Sequence, residues 1–168
     1  RLSSSNPNLQ NIPIKTLDGK KIRQTFITNK DCKIISADYS QIELRVMAHM
    51  SKDQSLIHSF LNGEDIHAAT AKEVFSLKNE NPSEEERRAA KAINFGLIYG
   101  ISYFGLSKQL KINTNEAKEY IDRYFIKYKG VREFMDETKK NAKTNGYVST
   151  LLGRKIHVTN ITHNNFQI

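Results

Sequence analysis

Ser83-Glu84-Glu85-Glu86-Arg87-Arg88-Ala89-Ala90-Lys91-Ala92-Ile93-Asn94-Phe95-Gly96-Leu97-Ile98-Tyr99-Gly100 reads as one helix with its start and stop spelled out. Pro82 precedes Ser83, and Glu86 stands three residues on, where hydroxyl and carboxylate can each accept the other's backbone N–H in a capping box. Gly100 supplies the stop. Within the helix Arg87, Lys91, Phe95 and Tyr99 recur every four residues. Each step of four drifts by about 40°, so the four side chains form a stripe about 120° wide and about 18 Å long. Cations lie at one end and rings at the other.

Two readings of that stripe stand on the residues alone. In one it is an ordinary amphipathic helix with solvated cations and rings turned into the core. In the other it is a platform for a nucleotide, phosphates at the basic end and sugar and base at the aromatic end. Arg87 and Arg88 sit in the first turn, where the helix dipole is already positive, so they add to an anion-attracting end. Glu84, Glu85 and Glu86 partly offset them.

The rest of the composition leans toward a polyanionic partner. The 168 residues carry 26 Lys plus Arg against 18 Asp plus Glu, a formal net charge of +8, which favours nucleic acid. No apolar run approaches the roughly 18 residues of a membrane span, so a membrane partner is not expected. The single cysteine, Cys32, excludes an internal disulfide and reads as a small buried hydrophobe in a reducing compartment.

Along the chain, residues 1–16 are rich in Ser, Asn and Pro and predict a flexible loop. Residues 33–38 (Lys-Ile-Ile-Ser-Ala-Asp) predict a short strand, and residues 41–50 a helix from the spacing of Ile42, Val46 and Met50. Helices follow over Gln54–Leu61, 66–75 behind an Asp65 cap, 83–100, 114–128 and 131–145. A hairpin is expected from 147–151 and 155–158 around Gly153. The fold class is therefore α+β and mostly α, a small β portion ahead of a larger helical one.

Several residues could carry chemistry. Asp38, at the end of its strand, could hold Mg²⁺ through a hard carboxylate oxygen, or could be an ordinary loop aspartate. Glu43 pairs with Ser40 as a second capping box. His67 lies in a first helical turn, where open N–H groups attract anions, or is simply an exposed polar residue. Zinc spacings and the nucleophile elbow of hydrolases are missing. Gly19-Lys20-Lys21 lacks the hydroxyl and the earlier glycine of a phosphate loop, so a triphosphate bound here would have to be held by helix cations.

Three stretches taken together resemble family A DNA polymerases of the bacterial DNA polymerase I type. They are the loop Arg1-Leu2-Ser3-Ser4 through Pro7-Asn8-Leu9-Gln10-Asn11-Ile12-Pro13, the segment Asp38-Tyr39-Ser40-Gln41-Ile42-Glu43-Leu44-Arg45, and the stripe itself. The resemblance implies a part of the polymerase palm over residues 1–60, short strands plus a helix, and an all-helical fingers subdomain with a terminal hairpin over 61–168. It implies template-dependent 5′→3′ transfer of nucleotides from dNTPs to a primer 3′-hydroxyl with two Mg²⁺ ions. Asp38 and the backbone carbonyl of Tyr39 would be metal ligands, with Asp38 and Lys91 the catalytic residues. Arg87, Lys91 and His67 would contact the triphosphate, Phe95 the sugar and Tyr99 the nascent pair. Glu43, paired with Tyr99, would occupy the space of a ribose 2′-hydroxyl. Arg1, Gln10, Asn11 and Lys15 would approach primer-template DNA, in whose minor groove pair geometry can be tested without reading sequence.

The family's second catalytic aspartate belongs to a motif that this sequence does not contain, so the expectation is a piece of a longer, monomeric, cytoplasmic and nucleoid-associated bacterial enzyme, inactive alone. Two alternatives remain at this point: a nucleic-acid-binding module without catalysis, and a relative of single-subunit RNA polymerases, against which a ribose-excluding Glu43 argues.

Overall fold

Short polar side chains that compete for backbone hydrogen bonds mark most of the helix starts in this chain. The structure, a computed structural model, describes residues 3–14, 16–77, 81–158 and 161. It divides into two compact units, Arg1–Ser40 and Gln41–Ile168.

In the first unit Asn8 Oδ1 accepts the Gln10 N–H at 3.1 Å and opens a 3₁₀ turn, Leu9–Asn11, within the stretch expected to be a flexible loop. Thr16 Oγ1 accepts the Gly19 N–H at 3.1 Å and opens helix α1, Leu17–Gln24, which the sequence reading did not foresee. A Cβ at Gly19 would come within 2.7 Å of Pro13, so only glycine lets that loop lie directly on the helix. The strand expected at residues 33–38 does not form: the segment is irregular, and Ile34 and Ile35 are 62% and 89% exposed. A strand exists by its ladder of hydrogen bonds to a neighbour, and among the described residues none runs beside this one. Cys32, expected to be buried, is exposed for want of any core around it.

The second unit holds α2 (Ile42–Ser51), α3 (Gln54–Leu61), α4 (Ile66–Val74), α5 (Glu84–Ile98), α6 (Tyr103–Leu110), α7 (Thr114–Lys127) and α8 (Lys129–Asn145). A hairpin of β1 (Tyr147–Ser149) and β2 (Lys155–His157) follows, antiparallel, with Val148 opposite Ile156. The expected class, mostly α with a terminal hairpin, is what is observed. Helix α6 is the element missed here; Ser102 caps it by accepting the Gly105 N–H at 3.1 Å.

Each helix of this unit places at least one residue in a common core. Leu44, Leu56, Ile66, Val74, Ile93, Leu97, Leu106, Tyr124 and Val131 are all buried together, each large aliphatic contributing about 1.5–3 kcal/mol by leaving water. Helix α4 packs on α5 and α7, α6 on α7, and α2 on α8. Buried Asp53 joins two helix starts, since its Oδ1 accepts the Leu56 N–H at 2.9 Å and its Oδ2 the Gly130 N–H at 2.8 Å. One carboxylate thus serves the positive ends of α3 and α8. Along α4, Arg123 donates to the carbonyl of its last residue, Val74, at 2.8 Å and Lys127 to that of Ala69 at 3.3 Å.

The end of α5 is fixed by glycines. Gly100 adopts φ +77°, and the N–H groups of Gly100 and Ile101 return to the carbonyls of Leu97 and Gly96 at 3.0 and 2.8 Å, a Schellman closure. A Cβ at Gly96 or at Gly105 would come within 2.9 Å of the Ile101 side chain. Both glycines therefore make room for Ile101. No described helix is long and apolar enough to cross a membrane.

Candidate functional site

The capping box at the start of α5 is present in both directions, Ser83 Oγ accepting the Glu86 N–H at 3.2 Å and Glu86 Oε2 accepting the Ser83 N–H at 2.7 Å. It fixes where the helix begins and hence which face each later residue occupies. Ala90, Ile93, Asn94 and Leu97 are the buried positions, the i, i+3, i+4, i+7 pattern of a core-facing stripe. Arg87, Lys91, Phe95 and Tyr99 fall beside that stripe, half-buried at Arg87 and Phe95 and exposed at Lys91 and Tyr99.

Arg87 is positioned by α4. Asp65 caps that helix, its Oδ1 accepting the N–H groups of His67 and Ala68 at 2.9 and 3.3 Å, and its Oδ2 receives Arg87 Nε at 2.6 Å. Partial burial works to raise the Asp65 carboxyl, but the hydrogen bonds from Arg87, Ala68 and His67 and the guanidinium charge outweigh it and hold the group below its ordinary value. Because the ion pair uses Nε, the two terminal guanidinium nitrogens have no partner among the described residues. Lys91 likewise has no ion pair among them; its ammonium lies 6.0 Å from the centre of the Phe95 ring. The basic end of the stripe thus keeps donors open.

His67 is 3% exposed, not the exposed polar residue of the plainer reading. Its ring stands 5.8 Å from that of Phe95, and its Nδ1 lies 3.1 Å from Asn94 Nδ2. Burial, first, and the charges of Arg87 and Lys91 push its pKa down, against an upward pull from Asp65. The imidazole is held neutral.

Glu43 departs from the capping-box reading but makes the pairing with Tyr99 that the resemblance implies. The box with Ser40 does not form, because α2 begins one residue late: its N-cap is Gln41, in the left-handed region at φ 53° and without a side-chain cap. Glu43 is then the second helical residue, out of register for the reciprocal bond. Its carboxylate instead accepts the Tyr99 hydroxyl at 2.7 Å, joining the first turn of α2 to the end of α5. That bond to Glu43, with the nearby negative charge, raises the Tyr99 pKa.

In the first unit Asp38 and Tyr39 are exposed, as are Gln10 and Asn11 in the 3₁₀ turn. Arg1 and Lys15 lie outside the described residues. The structure therefore joins Arg87, His67, Lys91, Phe95, Tyr99 and Glu43 into one neighbourhood on α2, α4 and α5. Three residues of it escaped the sequence reading: Asp65 as the partner of Arg87, and Asn94 and Thr70 behind His67. The signal for Asn94 was legible, a polar side chain standing on the apolar face of an otherwise amphipathic helix.

The model of DNA polymerase family A matches residues 1–168. The chain belongs to that family. Among curated relatives, DNA polymerase I of Pseudomonas aeruginosa is 53% identical over 165 residues, 98% of this chain and 18% of the relative. That of Bacillus subtilis is 50% identical over 169 residues, all of this chain and 19% of the relative. The chain thus spans about a fifth of the length of such relatives. A solved structure, the POL domain of Pol1 from M. smegmatis in complex with DNA primer-template and dNTP, is similar with a TM-score of 0.84 and 43% identity over 99% of this chain and 30% of that one.

Proposed function

We propose that these residues are the nucleotide-binding part of a DNA-directed DNA polymerase, with residues 1–60 belonging to its palm and 61–168 forming its fingers. The reaction is template-dependent 5′→3′ transfer, in which a primer 3′-hydroxyl attacks the α-phosphorus of a dNTP in line and pyrophosphate leaves. Arg87, through its open terminal nitrogens, Lys91 and His67 bind the triphosphate, and Lys91 offsets the charge that builds on the leaving group. Phe95 lies against the sugar, and Tyr99 borders the new base pair. Gln10 and Asn11, with Arg1 and Lys15, approach the primer-template. The M. smegmatis relative, solved with both DNA primer-template and dNTP, supports these partners.

Magnesium fits the donor chemistry of Asp38 and the Tyr39 carbonyl, since this ion takes one or two carboxylates together with substrate phosphates and water. Among the described residues no group of three or more His, Cys, Asp or Glu could hold an ion, so these two oxygens would be part of a shell. Bound there, two such ions would neutralise charge on the reacting phosphates and polarise their oxygens. The longer protein would supply the second carboxylate, act as a monomer and work in the cytoplasm at the nucleoid. The 168 residues alone would not extend a primer.

The observation that carries this reading is the 2.7 Å bond from the Tyr99 hydroxyl to Glu43, which ties the start of α2 to the end of α5 beside the stripe; in this reading the pair occupies the space a ribose 2′-hydroxyl would need. In the full-length protein Glu43→Ala should lower the dNTP-over-rNTP ratio of kcat/KM by about 10²-fold. An unchanged ratio in primer extension removes the gate and the DNA-specific reading with it.

A further inference from the structure

A chain of buried polar groups runs behind the stripe. The Tyr128 hydroxyl lies 3.2 Å from Thr70 Oγ1, Thr70 Oγ1 lies 3.2 Å from Asn94 Oδ1 and 3.1 Å from Asn94 Nδ2, and Asn94 Nδ2 lies 3.1 Å from His67 Nδ1. Tyr128, Thr70 and Asn94 are fully buried, where an unsatisfied polar group is costly and a satisfied one is held firmly. Thr70 has one proton, and with that proton on Asn94 Oδ1 the Tyr128 hydroxyl is the donor to Thr70. Thr70 Oγ1 donates to Asn94 Oδ1 and accepts from Asn94 Nδ2, the same nitrogen that faces the imidazole.

That orientation decides the tautomer of His67. A carboxamide nitrogen only donates, so Nδ1 accepts, and a neutral imidazole that accepts at Nδ1 carries its proton on Nε2. Among the described residues no group pairs with Nε2. Phosphate oxygens only accept. A ring protonated at Nε2 offers them a donor, whereas the other tautomer would present a lone pair to an anion.

We propose that Asn94 is a positioning residue for triphosphate binding: it holds His67 in the Nε2–H tautomer and aims that single donor at a phosphate oxygen, with Thr70 and Tyr128 fixing the amide. This rests on the reading of the stripe as a dNTP site. The charged groups that bear on the ring are Asp65 at its own helix start and Arg87 and Lys91 from α5; α7 brings Lys127 to the Ala69 carbonyl, and Tyr128 closes that helix. None of these can hold Nδ1 as Asn94 does.

The test uses the full-length polymerase in steady-state primer extension, with wild type, His67→Ala, Asn94→Ala, the double variant and Asn94→Asp. Losing a hydrogen bond to a charged ligand group corresponds to about a tenfold rise in dNTP KM for Asn94→Ala, with kcat and primer-template affinity within about twofold. In the His67→Ala background the same substitution should add less than about twofold, because Asn94 has nothing left to position. Equal penalties in both backgrounds overturn the proposal and make Asn94 a packing residue. Asn94→Asp keeps the size and offers Nδ1 only acceptors, so it moves a proton to Nδ1 and shifts the pH midpoint of dNTP KM upward by about one unit. A profile superimposed on wild type also overturns the proposal, and this arm serves if Asn94→Ala fails to fold. Failure of the underlying reading looks different: a wild-type protein that extends no primer removes the polymerase assignment, and an unmoved dNTP KM in His67→Ala removes the phosphate contact of His67 and the proposal together.

Discussion

The two units differ in what holds their side chains in place. In Arg1–Ser40 only Gly19 is buried among the described residues, while Leu17, Ile27 and Ile35 are 78%, 85% and 89% exposed. In Gln41–Ile168 a core drawn from seven helices fixes the backbone, and hydrogen bonds then fix the functional side chains one by one: Asp65 on Arg87, Asn94 on His67, Glu43 on Tyr99. The second unit orients these side chains with its own residues. The first carries Asp38 without a core to set its position, which accords with a chain that spans about a fifth of its relatives' length. Preorganisation, which makes a charged group worth most at a developing charge, is therefore unequal along this chain.

The largest effect that tests this contrast is at Asp38. In the full-length protein Asp38→Ala should lower templated synthesis by at least about 10³-fold, the scale of losing one preorganised electrostatic stabiliser, while DNA binding by gel shift stays within twofold. Synthesis at the wild-type rate would leave Asp38 an ordinary loop residue and reduce the first unit to a DNA contact. The contrast in packing is tested by stability. In the 168-residue chain Ile93→Ala, at a fully buried position, should cost about 2–5 kcal/mol, and Ile35→Ala in the first unit less than about 0.5 kcal/mol, both by chemical denaturation. Similar costs at the two positions would mean that the first unit has a core after all.

How far the sequence could be read follows the same division. Helix α5 was legible throughout because its capping box, apolar spacing and glycine stop are all local and agree with one another. The strand at residues 33–38 was not, because a strand's existence depends on a neighbour that local pattern cannot supply. Glu43 shows a subtler limit: Ser40 and Glu43 have the spacing of a capping box, but the left-handed conformation at Gln41 moves the helix start by one residue and frees the carboxylate for Tyr99, 56 residues away. Asn94 and Thr70 were unread for a related reason. A buried polar residue announces itself only as an exception on an apolar face, and its partner, on another helix, is set by packing.

The smallest effect concerns pH, and both groups behind it lie in the second unit. His67 has its pKa pushed below the usual histidine value of 6.5 by burial, so the unfolded chain takes up a proton at a pH where the folded chain does not. Its contribution to stability is complete above about pH 6.5 and is lost as pH falls through the folded-state value. The slope for one such group cannot exceed about 1.4 kcal/mol per pH unit. Asp65, also lowered, acts in the same direction but in a separate window, its contribution complete above about pH 4 and lost below it. Because the Asp65–Arg87 pair is more than one-third exposed on both sides, solvent screening keeps that second loss small. Denaturation of the 168-residue chain between pH 7.5 and 5.5 should therefore show a decline that His67→Gln flattens, with a further, shallower decline below pH 4 that Asp65→Asn flattens. If wild type and His67→Gln decline in parallel, the imidazole is not held neutral by burial, and the second unit is less preorganised than its hydrogen bonds imply.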